Sequence, residues 1–172
     1  LQLRTVFKVQ GVTTLNQQAN SWLGKAKMGL EYLLFRSGPM SMSPSQLGAF
    51  ARSGPDVERA DLEYHVQPLS LGSFGENLQP FPAITTSVCN LRPESRGTIH
   101  IKSANPMEPP EIAPNYLSAE ADRRVAVRSI QLTRKIMQAP AMARYSPEEF
   151  MPGTEAQSEE ALMKAAGDIG TT

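Results

Sequence analysis

Polar and apolar residues alternate most cleanly over residues 61–68. Leu62, Tyr64 and Val66 fall on one side and Glu63, His65 and Gln67 on the other, the period of a strand with one buried face. Thr98-Ile99-His100-Ile101-Lys102 repeats the pattern and predicts a half-buried antiparallel strand. Residues 3–10 alternate more weakly and read as a strand, and residues 46–52 can form a short one. Residues 84–91 have no helical period and are rich in β-branched and small side chains, which favours a strand. Arg92-Pro93-Glu94-Ser95-Arg96-Gly97 follows, with a proline and a glycine suited to a tight reversal. The expectation is a hairpin over residues 84–102.

Helical spacing governs other stretches. Asn16 is expected to cap a helical region to about Phe35, striped by Trp22, Leu23, Ala26, Leu30, Leu33 and Leu34. Gly24 and Gly29 weaken its middle and allow two helices, and Ser37-Gly38-Pro39 ends it. Ser118 is expected to cap a helix to about Gln138. Val125, Leu132 and Ile136 line one side with Ala126, Ile130 and Met137 adjacent, and Arg123, Arg124, Arg128 and Lys135 point to solvent. Glu120 and Asp122 sit in the first turn, where the macrodipole favours acids. Ser146-Pro147-Glu148-Glu149 predicts a short helical turn with proline leading. Ser158 caps a last helix to about Ala166. Residues 69–82 read as a surface loop, and the prolines of residues 105–110 exclude helix and central strand. The sum is a two-layer α+β domain: a mainly antiparallel sheet of about five strands with helices on one face. The other face carries the alternate polar residues.

Composition changes this picture little. A chain of 172 residues, 40% hydrophobic, suits one domain with a core. Its 17 basic and 17 acidic residues cancel, leaving no basic excess for nucleic acid. Cys89 stands alone, which excludes an internal disulfide framework and suits a reducing, cytoplasmic compartment. No apolar run approaches the roughly 20 residues of a membrane helix. Two histidines and one cysteine, far apart, give no metal-site spacing. Cys89 reads as an inert thiol. Arg92, Ser95, Arg96 and Gly97 read as architectural, with Gly97 serving backbone geometry.

The run CNLRPESRGTIHIKS followed by IAPNYLS resembles the substrate-binding part of the glucose-methanol-choline (GMC) flavoprotein oxidoreductases, and among them the choline-oxidising members. GVTTLNQQANSW, GLEYLLFRSGPMSMSPSQLGAF, EYHVQPLS and AAGDIGTT agree, so the resemblance runs the length of the chain in order. It implies that residues 1–172 are a substrate-binding domain, with both ends at domain crossings. The family's G-x-G-x-x-G motif for FAD is absent from the sequence. The family's catalytic histidine, in an H-P-x-G-T motif, follows a D-I-G-T-T-like run and lies beyond Thr172. The expectation is therefore no catalytic residue and no FAD on this chain, inactivity in isolation, and partnership with an FAD domain. Membrane association of the full-length enzyme stays open.

By the same resemblance, the sheet roofs an active site in which a base takes the hydroxyl proton and hydride passes to FAD, turning choline into betaine aldehyde. A histidine at the position of His65 helps bind the alcohol; read from the residues alone, His65 could equally be a hydrogen-bonded strand histidine. His100 reads as surface. A quaternary ammonium needs aromatic faces and carboxylates. Phe50, Tyr64, Phe74 and Phe81 are the aromatic candidates. Tyr64 is expected to face the helices; Phe50 is the better choice among the aromatics, although ordinary core packing is the favoured reading of its ring. Ser45, Gln46 and Gln67 could also line the cleft. Glu31 and Glu63 are possible counter-ions. The alternatives are another alcohol as substrate, or a stand-alone binding domain without catalysis.

Overall fold

The computed structural model describes residues 1–72 and 75–171. Its main sheet has the order β2-β3-β4-β1-β7, every pairing antiparallel. The strands are β1 (Gln2–Lys8), β2 (Leu47–Ala51), β3 (Leu62–Gln67), β4 (Ala83–Asn90) and β7 (Glu148–Met151), and the short β8 (Gly170–Thr171) also pairs with β1. A separate two-stranded sheet joins β5 (Thr98–His100) to β6 (Glu111–Ala113). Among the described residues the α-helices are α1 (Leu15–Asn20), α2 (Trp22–Phe35), α3 (Glu120–Met137) and α4 (Glu159–Ile169). The fold is α+β.

The core lies between the sheet and α3 with α4. Leu3, Leu62, Tyr64 and Val88 from the strands meet Val127, Ile130, Leu162 and Ala166 from the helices. Full burial of an aliphatic side chain such as Leu62, Ile130 or Leu162 stabilises by about 1.5–3 kcal/mol. The buried side of α3 also holds Ser129 and Thr133. Their hydroxyls donate to the helix's own carbonyls, Ser129 Oγ to Val125 O at 2.7 Å and Thr133 Oγ1 to Ser129 O at 2.8 Å, which permits burial. Tyr64 Oη lies 3.1 Å from Thr133 Oγ1. Tyr64 thus faces the helices, as its place in the alternation predicts.

Several expectations are corrected. Residues 84–102 are not a hairpin: β4 has β1 on one side and β3 on the other, so no edge remains for β5. Ile99 and Ile101 are exposed, 70% and 86%, not half-buried. α3 is rotated from the expected stripe. Ala126, Ile130 and Met137 are in the core, whereas Val125 and Leu132 are partly covered and Ile136 is exposed. Ala119, not Ser118, occupies its N-cap, without a side-chain cap bond. Thr14, not Asn16, caps α1, and Gln17 Oε1 accepts the Thr14 N–H at 3.1 Å. Asn16 is instead buried and donates to Ser70 O and Gln79 O, both at 2.9 Å. Residues 148–151 form β7 rather than a helical turn.

Other readings hold. The region of α1 and α2 is indeed two helices, divided at Ser21, whose Oγ accepts from Gly24 N at 3.4 Å. A Cβ on Gly24 would stand 2.1 Å from Gln18 O, so only glycine permits the junction. Ser158 does cap the last helix, accepting from Ala161 N at 3.1 Å, although α4 runs on to Ile169. The stripe on α2, however, covers nothing: no residue of that helix is buried.

Candidate functional site

The face of the sheet turned away from α3 and α4 is assembled by register. Gly48 lies opposite His65, and Phe50 opposite Glu63, across β2 and β3. Ser87 lies opposite His65, and Cys89 opposite Glu63, across β3 and β4. Arg4 lies opposite Ser87 on β1. Directly opposed residues share a face, so these side chains form one field.

Residues 69–72 cover one part of the field and leave the other open. Thr85 Oγ1 donates to Leu69 O at 2.7 Å, and the Arg4 guanidinium donates to Leu71 O at 3.0 Å and Gly72 O at 3.3 Å. Arg4 is buried, and burial lowers its pKa. Ser87 is buried too, and its Oγ has no hydrogen-bond partner among the described residues. Buried hydroxyls are usually paired.

His65 and Glu63 occupy the open part. Nε2 of His65 lies 3.3 Å from Oε1 of Glu63, and the two side chains are 38% and 32% exposed. Beside them burial pushes the Cys89 thiol up, and the Glu63 carboxylate adds to it. Cys89 is thus held as the thiol, in line with its reading as inert.

The candidates from the sequence do not all share this field. His65, Gln67, Phe50 and Ser45 come together. Gln67 Nε2 donates to Ser45 Oγ at 3.1 Å, and Phe50 is 68% exposed, so its ring is not core packing. Gln46 is tied nearby by its N–H to Val66 O at 3.0 Å, but its side chain reaches back to Met42 Sδ at 3.8 Å. Tyr64, Phe81 and Glu31 are elsewhere. The Phe81 ring meets Phe150 edge to face at 5.0 Å, and both hold the Lys8 ammonium, 5.2 and 5.1 Å from their centroids. Glu31 is on α2, where Ser37 Oγ donates to it at 3.3 Å. Phe74 lies outside the described residues. His100 is exposed on the small sheet.

Ser87, Cys89 and Arg4 were not singled out as members of this field. β4 reads AITTSVCN, small on both faces, so alternation could not sort it. Nor does a sequence show that β1 lies beside β4. Among the described residues no cluster of His, Cys, Asp and Glu could hold a metal ion, and no helix is long and apolar enough to cross a membrane.

The Arg92–Gly97 turn serves the frame, as expected. Asp122 Oδ1 accepts from Asn90 Nδ2 at 3.2 Å and Glu94 N at 2.9 Å, and Oδ2 accepts from Ser95 N at 2.8 Å. Arg92 donates to Ala60 O at 2.6 Å. A Cβ on Gly97 would stand 2.2 Å from Ala113 O, so close approach demands glycine there. A cavity of about 80 Å³ lies between this turn and α3, lined by Leu1, Leu3, Tyr116 and Val125 among others. Leu3 belongs to the helix-side core, so this cavity is apart from His65.

Residues 93–171 match the family described as GMC oxidoreductase. The chain is 34% identical over 146 residues to an alcohol dehydrogenase (acceptor) of Pseudomonas putida, covering 84% of this chain and 26% of that protein. It is 33% identical over 144 residues to an oxygen-dependent choline dehydrogenase of Escherichia coli, again covering 84% and 26%. The chain thus spans about a quarter of the length of these relatives. A formate oxidase of Aspergillus oryzae shares the fold over 98% of this chain and 34% of its own, with a TM-score of 0.81 at 15% identity. An FAD-dependent oxidoreductase from Chaetomium thermophilum does so with a TM-score of 0.76, also at 15% identity, over 98% of this chain and 35% of its own.

Proposed function

From the match of residues 93–171 to GMC oxidoreductases and the one-third identity to two such relatives, we propose that the chain belongs to that family and is the substrate-binding part of an enzyme that oxidises a small alcohol with FAD. One observation carries the reading. The register of β2 and β3 sets an exposed aromatic ring, Phe50, a carboxylate, Glu63, and an imidazole, His65, on one open sheet face. In this reading His65 binds the alcohol's hydroxyl, and Gln67, held by Ser45, borders it.

The chain's own residues do not fit FAD as a cofactor that it holds by itself. No G-x-G-x-x-G occurs in the sequence. Among the described residues no strand leads through a glycine-rich turn into a helix that could cradle a pyrophosphate. Redox chemistry, and the catalytic histidine that the family resemblance implies, belong to the rest of the polypeptide. This chain binds and orients the alcohol.

Choline is the alcohol we favour, with betaine aldehyde as product. A quaternary ammonium is attracted to an aromatic face and a carboxylate, and Phe50 with Glu63 offers both. A choline dehydrogenase is among the relatives. A neutral alcohol is the second reading, favoured by the place of the Glu63 carboxylate beside His65.

A substrate panel on the full-length protein tests this. Choline turnover is expected, with kcat/KM lowered about a hundredfold by His65→Ala. Phe50→Ala should raise KM for choline by roughly fivefold. Preference for an uncharged alcohol would decide for the second reading. Oxidation unaffected by His65→Ala would remove the site itself. The isolated chain should turn over nothing.

A further inference from the structure

We propose that Glu63 is a positioning residue for His65, fixing which imidazole nitrogen faces the substrate. The inference rests on the proposed reading of His65 as the group that meets the alcohol. Both residues are on β3, which is hydrogen-bonded on one side to β2 and on the other to β4. Their backbone is therefore held, and two side chains two residues apart on one strand face stay neighbours. Nε2 is 3.3 Å from Glu63 Oε1.

The surroundings leave Glu63 with this task. Phe50 and Cys89 stand opposite Glu63, and Gly48 and Ser87 opposite His65. None of these four is a cation. Among the described residues the ion pairs place no lysine or arginine on Glu63, and the His65 imidazole is the group beside its carboxylate. Gly48 adds no side chain over the imidazole, so the ring is walled less on that side. A carboxylate beside Nε2 favours the tautomer with the proton there and leaves Nδ1 with its lone pair. Nδ1 can then accept the hydrogen bond of an alcohol O–H.

Glu63 could instead meet a cationic substrate directly, and the two roles part in a double-mutant cycle. Full-length wild type, Glu63→Gln, His65→Ala and the double variant are assayed with choline and with its uncharged carbon isostere, dimethylbutanol. A positioning role predicts that Glu63→Gln lowers kcat/KM about tenfold for both alcohols. The same change should add nothing in the His65→Ala background. Glu63→Asp, which keeps the carboxylate, should recover part of the loss. The melting midpoint should not move, which separates this role from a structural one. A loss confined to choline, or an equal further loss in the His65→Ala background, overturns the proposal while leaving the site intact. Oxidation unaffected by His65→Ala instead overturns the reading of His65, and this inference with it.

Discussion

Asp122 is a buried carboxylate that ties the strand-to-hairpin turn to the start of α3. Burial works against its charge. Hydrogen bonds from the Ser95 side chain and from the N–H groups of Glu94 and Ser95, with the charge of Arg96, outweigh burial and hold its pKa below the ordinary aspartate value. A carboxyl lowered by folding stabilises the protein above its unfolded pKa, and that contribution fades as pH falls through the folded value. Asp122→Asn should therefore cost about 2–3 kcal/mol near neutral pH. The gap to wild type should narrow below about pH 4. Urea denaturation at neutral and acid pH measures both, and a gap independent of pH would refute the assignment. The sequence placed Asp122 in a first helical turn for its dipole. The partners that matter more, Asn90 and the 94–95 backbone, come from residues about thirty positions away. No local pattern could reveal them.

At the scale of elements, α2 departs most from its reading. Its stripe is legible, yet Trp22, Leu23, Leu30, Leu33, Leu34 and Phe35 are all exposed. A pattern tells which residues want burial, not what is available to bury them. Contiguous exposed apolar surface drives association. The double change Leu33→Lys with Leu34→Lys should accordingly leave stability within about 0.5 kcal/mol and reduce self-association of the isolated chain. Sedimentation velocity beside a thermal melt reads both. Loss of the fold would show that α2 is packed after all. β3 is the contrary case. Its alternation was clear, its edges are shared with β2 and β4, and Tyr64 and His65 took the sides expected of them. β5 had an equally clear alternation and does form an antiparallel strand, but it pairs with β6 and stays exposed, because β4 was already paired on both sides.

At the scale of the whole molecule, a largely buried ion pair joins distant segments. Arg134 on α3 meets Glu149 on β7 at 2.8 Å, with side chains 15% and 7% exposed. The same guanidinium donates to Ala156 O at 2.8 Å and Gly153 O at 3.1 Å. Removing one partner leaves a charge buried without compensation. Arg134→Ala should cost about 3–5 kcal/mol, read by chemical denaturation, and a change under about 1 kcal/mol would show the pair to be effectively solvated. The sequence alone determined the fold class, the two faces of β3, the division of the first helical region and the caps and breakers that end α2 and start α4. Each is set within a few residues by side-chain period and backbone preference. Tertiary structure alone decided the strand order, the rotation of α3 toward Tyr64, the strand at residues 148–151 and the neighbours of His65. Those depend on which segment occupies each hydrogen-bonding edge and each apolar face, a competition between parts of the chain far apart in sequence.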